Sequence, residues 1–162
     1  MERRPDRNCT PERIARGDER RYVRAMTLDR IVLGYDGSDS AKRALARAAE
    51  LAGASGTVLV VTAAPLVYAN ARAGDLVDPQ QEEEARRLLT EARAILAAHG
   101  AAVETKDAAG DAGEAIIAAA EEADAELVVV GTRRRNVAAR LLLGSVSMKV
   151  VQTAPCDVLV VR

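Results

Sequence analysis

At 162 residues the chain is long enough for one α/β domain with a buried core, and two full domains would be cramped. Its 49% apolar and 29% charged residues exclude wholesale disorder, and 23 basic against 24 acidic side chains give no global pull toward nucleic acid or an anionic membrane. Three tyrosines, with no phenylalanine or tryptophan, leave little from which to build a stacking platform for single-stranded nucleic acid.

Residues 1–25 stand apart from the rest, with eight arginines against five acidic residues and only scattered apolar positions (Ile14, Tyr22, Val23). They are expected to form a basic flexible extension, and the interspersed Glu and Asp weigh against a nucleic-acid-binding arm. The domain is expected to span 26–162.

Residues 31–35, Ile-Val-Leu-Gly-Tyr, are a short continuous apolar run, as in a strand buried on both faces. Ser38 then caps a helix with an inward stripe of Ala41, Ala44, Leu45, Ala48, Leu51 and Ala52, ending at Gly53. A second strand is expected over 57–63, followed by a looser loop at 64–77. Asp78-Pro79-Gln80-Gln81 opens a long helix with an acidic cap, and proline at its first position. Ala85, Leu88, Leu89, Ala92, Ile95 and Leu96 share one face of it, and Gly100 ends it.

The half-polar run 101–106 suits a strand at a sheet edge. Asp111 and Glu114 have the spacing of a capping box, ahead of Ala115, Ile116, Ala119 and Ala120. Residues 127–130 read as another buried strand, ending at Gly131. The segment 132–144 carries four arginines, Ser145 is expected to cap a short helix to about Thr153, and 158–161 is a last strand. The order βαβαβαβαβ predicts a doubly wound, Rossmann-like α/β fold with a five-stranded, mainly parallel sheet.

Cys9 and Cys156 are far apart and form neither a disulfide framework nor a metal-ligand spacing, so a reducing compartment is expected. The only histidine, His99, falls at a helix end, where it reads as a solvent-facing residue near the negative pole of the dipole rather than a catalytic base. No metal ligand set and no catalytic residue are assigned. No stretch reaches the roughly 18–20 apolar residues of a membrane-spanning helix, and residues 1–25 lack the apolar core of a signal peptide. The expected location is the cytoplasm.

Ligands of open parallel sheets bind beyond the carboxyl ends of the strands, where the winding reverses. Two such segments are unusual: Asp36-Gly37-Ser38-Asp39-Ser40 after the first strand, and Gly131-Thr132-Arg133-Arg134-Arg135 with Gly144-Ser145 after the fourth. Each glycine alone reads as an ordinary turn. Together, on neighbouring strands, they favour a phosphate-bearing ligand at a helix start. A dinucleotide oxidoreductase lacks its Gly-x-Gly-x-x-Gly here, and a Walker-type loop lacks Gly-Lys-Ser/Thr. A response-regulator receiver could use Asp107 but finds no suitable lysine. The Ser-Gly-Gly-x-Asp-Ser loop of ATP pyrophosphatases is matched only in part by Tyr35–Ser40.

From Met26 to Arg162 the chain resembles the universal stress protein (UspA-like) family. The resemblance rests on Ile31-Val32-Leu33-Gly34-Tyr35-Asp36-Gly37-Ser38, on Leu142-Leu143-Gly144-Ser145-Val146-Ser147, and on Ala154-Pro155-Cys156-Asp157-Val158-Leu159-Val160-Val161. ATP-binding members carry Gly-x2-Gly-x9-Gly-Ser/Thr, and Gly131, Gly144 and Ser145 fall at its first, third and final places. Its second place is Arg134, which in a left-handed backbone costs about 1–2 kcal/mol. That side chain either blocks the phosphate path or pairs with the phosphates, and Arg133, Arg135 and Arg140 share the second option.

The resemblance implies Asp36 near the nucleoside and backbone contacts from Thr62 and Ala63 to adenine. It implies ATP, with Mg2+, as the ligand, and a homodimer paired through the last strand, 158–161. The function expected is that of an ATP-binding homodimeric stress-response regulator or chaperone-like module. The alternatives are an ATP-independent dimerisation or adaptor module with a decayed site, and a weak ATPase or autokinase. No base with evident pKa tuning supports turnover.

Overall fold

The computed structural model describes residues 28–64, 66–68, 75–132 and 144–162. In chain order the elements are β1 (Arg30–Gly34), α1 (Asp39–Ala52), β2 (Thr57–Ala64), β3 (Leu66–Tyr68), β4 (Asp75–Val77), α2 (Pro79–Ala98), β5 (Ala102–Ala109), α3 (Ala112–Glu122), β6 (Leu127–Gly131), α4 (Ser145–Thr153) and β7 (Asp157–Val161). Five of the strands form one sheet in the order β5-β2-β1-β6-β7, and every neighbouring pair is parallel. The expected doubly wound sheet is therefore present, and it is wholly parallel.

Burial on both faces explains the continuous apolar runs. Ile31 and Leu33 of β1 point into a cluster with α1 and α2, whereas Val32 points into a second cluster with α3 and α4. Small side chains let α1 lie close to the sheet: Ala41, Ala44, Ala48 and Ala52 are all buried. In a chain almost free of aromatics, this close approach substitutes for bulk in filling the core. Among the described residues no helix is long and apolar enough to cross a membrane.

The two sheet edges differ. The β5 edge has only exposed and half-buried positions and carries Glu104, Lys106 and Asp107, charges that discourage further pairing. At the other edge, β7 exposes only Asp157, and its Val158–Val161 stretch is half-buried and apolar.

Three helices are capped by their own side chains, as the sequence indicated. Ser38 accepts from the Ala41 amide, Asp78 from that of Gln80, and Asp111 from that of Glu114. Three local expectations are corrected. Gly144, not Ser145, caps α4, because the Gly144 carbonyl already accepts the first helical bond, from the Met148 amide at 2.9 Å. Glu114 does not complete a capping box, since its carboxylate is drawn instead to Lys149, 2.8 Å away. The region 64–77 holds an antiparallel pair, Leu66 with Val77 through Tyr68 with Asp75, where a loop was expected. The extension 1–25 lies outside the described residues.

Candidate nucleotide cleft

The strand order reverses between β1 and β6: from β1 the chain winds to β2 and β5, then returns to β6 and β7. The helices that follow β1 and β6, α1 and α4, therefore lie on opposite faces, which opens a crevice at the carboxyl edge of the sheet. A cleft of about 730 Å³ occupies that crevice, within the roughly 300–1,000 Å³ typical of small-molecule sites.

Asp36, Thr62, Ala63, Gly131, Gly144 and Ser145 all line this one cleft. Chain segments more than a hundred residues apart meet there because parallel strands deliver their carboxyl ends to the same edge. Arg134, with Arg133, Arg135 and Arg140, lies outside the described residues. Sequence reasoning did not single out the α2 wall, where Gln81, Glu84, Ala85 and Leu88 face the cleft, nor Ala112 and Ile116 of α3. A signal for them existed: a helix that follows a strand of a parallel sheet starts at the carboxyl edge, so its first turns belong to the rim.

The electrostatics of the rim are set by helix starts. The first turns of α1, α2 and α3 each hold an acidic residue, Asp39, Glu82 and Glu114, besides a side-chain cap. The first turn of α4 has no acidic residue and no side-chain cap, and Gly144, Ser145, Val146 and Ser147 all face the cleft. This helix start presents backbone N–H groups and the positive end of a dipole. Across the cleft, Asp36 accepts from the Ser38 amide at 3.1 Å, which folds the turn after β1 back on itself.

Tyr35 is part of the cleft wall, and its buried hydroxyl has no hydrogen-bond partner among the described residues. Burial, reinforced by the nearby Glu91 carboxylate, pushes its pKa up to about 12. His99 is exposed at the far end of α2, its Nδ1 2.9 Å from the Ile95 carbonyl. It lies about 20 Å along the helix from Ala85, so it takes no part in the cleft. Burial and then Asp157 raise the Cys156 pKa, opposite to what a thiolate nucleophile needs. Among the described residues no group of three or more His, Cys, Asp or Glu is placed to hold a metal ion.

Comparisons with known proteins agree with this architecture. The sequence profile of the Universal stress protein family matches residues 27–162. A universal stress protein of Thermus aquaticus is 44% identical over 138 residues, covering 82% of this chain and 97% of its own length. A universal stress protein solved in complex with cAMP is 33% identical, with a TM-score of 0.66 over 84% of this chain and 98% of that one. One from Archaeoglobus fulgidus in complex with dAMP is 26% identical, with a TM-score of 0.64 over 85% and 99%.

Proposed function

The chain belongs to the universal stress protein family, and we propose that it binds an adenine nucleotide in this cleft, ATP with Mg2+ in the cell, as a homodimeric cytoplasmic stress-response regulator or chaperone-like module. The observation that carries the proposal is the α4 start, which opens on the cleft with neither a side-chain cap nor an acid in its first turn. Such a terminus favours a phosphate through its N–H groups and its dipole. The relatives solved with cAMP and dAMP support the adenine part of the reading.

In this reading Gly131, Gly144 and Ser145 hold the phosphates, Asp36 lies near the nucleoside, and the backbone at Thr62 and Ala63 meets the base. Arg134, standing where the family pattern has glycine, pairs with a phosphate. Mg2+, where present, would be carried by the bound phosphates. Bound ATP would supply a polyanion to the helix start of α4, and no turnover step is assigned. The half-buried apolar edge of β7, residues 158–161, offers a strand for two-fold pairing with a second copy.

Arginine at position 134 also favours a second reading, an adaptor module that dimerises without nucleotide. Calorimetric titration with ATP and Mg2+, then with cAMP and dAMP, separates the two, using Gly144→Arg as the control. Micromolar binding to the native protein that is lost in the variant supports the nucleotide reading. Absence of heat at millimolar nucleotide, from a folded protein, leaves the adaptor.

A further inference from the structure

We infer that Ser40 is a positioning residue for the phosphate end of the cleft: its hydroxyl fixes the point at which the chain leaves β6. The inference rests on the nucleotide reading above.

Ser40, in the first turn of α1, is buried, and its hydroxyl donates to the Thr132 carbonyl at 2.7 Å across 92 positions of sequence. The Thr132 amide donates to the Val161 carbonyl at 2.8 Å. Thr132 is thus held on both sides, by α1 through its carbonyl and by β7 through its N–H. The Ser40 oxygen also lies 3.2 Å from Ser38 Oγ. With its own proton given to Thr132, Ser40 accepts here and Ser38 donates. Ser38 in turn caps α1 and donates its amide to Asp36, which lines the cleft.

Gly131 shows how tight this junction is. A Cβ there would stand 2.7 Å from both the Ala41 nitrogen and the Ser40 carbonyl carbon, and 2.9 Å from Ser40 Oγ. Contact with the backbone of α1 cannot be relieved by a side-chain rotation. The bare glycine at the first motif position is therefore required by the approach of Ser40, whether or not a ligand also comes close. Gly131 is at the same time part of the cleft wall, so the position of that wall is set from behind by α1. A binding constellation keeps its geometry only when such supporting contacts lock it.

The test compares wild type, Ser40→Ala and Ser40→Thr by calorimetric titration with ATP–Mg2+ and with adenosine, alongside amide hydrogen exchange of the ligand-free proteins. Ser40→Ala is expected to weaken ATP binding five- to tenfold while changing adenosine binding less than twofold, and Ser40→Thr to restore ATP affinity to within twofold. The Thr132 amide is expected to exchange several-fold faster in Ser40→Ala, with Val129 unchanged. Equal losses for ATP and adenosine, or an unaltered ATP affinity, overturn the inference. Where adenosine is too weak to titrate, the threonine rescue and the Thr132 amide decide. If the wild type binds neither compound, the nucleotide reading fails and the phosphate role of Ser40 fails with it, while the Thr132 amide still decides whether the Ser40 hydroxyl fixes the exit from β6.

Discussion

The stem of Lys149 lies across the bare backbone of Gly113, so close that a Cβ on the glycine would stand 2.8 Å from Lys149 Cδ. The ammonium group then reaches Glu114 at 2.8 Å and Asp111 at 3.1 Å. One half-buried side chain of α4 is thereby fastened to the first turn of α3, and both helix starts line the cleft. The ion pairs are solvent-screened and contribute modestly to stability. Their effect is on orientation.

The pH dependence of this junction has a defined sign. Acceptance from the Glu114 amide first, and from Lys149 second, lowers the Asp111 pKa. Because its folded value lies below the unfolded one, its stabilisation is present above about pH 4 and is lost as pH falls through the folded value. Asp111→Ala is expected to cost about 1 kcal/mol at neutral pH, the usual worth of a helix cap. Asp111→Asn, which keeps a cap without the charge, should cost less. Urea unfolding from pH 7 down to pH 2 checks both, and the gap between wild type and Asp111→Ala should narrow below pH 4.

Tyr35 acts at the alkaline end. A phenol with a folded pKa near 12, above its ordinary value, stays protonated after the unfolded chain has begun to ionise. Stability must then fall between about pH 10 and pH 12. Tyr35→Phe removes a buried hydroxyl that has no hydrogen-bond partner among the described residues, so it should be neutral or stabilising by up to about 1 kcal/mol. Its unfolding free energy should decline less over that alkaline range, and tyrosinate absorbance should lose its latest-titrating component.

The apolar edge of β7 leads to an expectation about assembly. A charge on this strand should oppose strand pairing across a two-fold axis while leaving the fold intact, because these side chains are only half-buried. Val160→Asp is expected to weaken self-association at least tenfold. Sedimentation velocity across a concentration series, with circular dichroism to verify folding, measures it. A wild-type protein that sediments as a monomer throughout would count against pairing through 158–161.

Much of the molecule was legible locally. The β1 and β6 strands, the stripe on α1 and the caps Ser38, Asp78 and Asp111 depend on residues within a few positions of one another. Their chemistry is therefore visible as spacing. The β3–β4 pair escaped because three-residue strands are too short to display an alternation. The Glu114 side chain was misassigned for a different reason: its partner, Lys149, is 35 residues away.

The candidate site divides along the same line. Alternating apolar periods determined the doubly wound sheet, and parallel winding determined that the segments after β1 and β6, with Asp36, Gly131, Gly144 and Ser145, would share one edge, whereas Thr62 and Ala63 were implied by the family resemblance. What only the tertiary structure decided was contact across that edge: α2 as a wall of the cleft, an α4 start without a side-chain cap, and Ser40 seated against Gly131 and Thr132. Periodicity says which face of an element is buried. It carries no information on how closely two distant segments approach, since that distance is set by packing of the whole core.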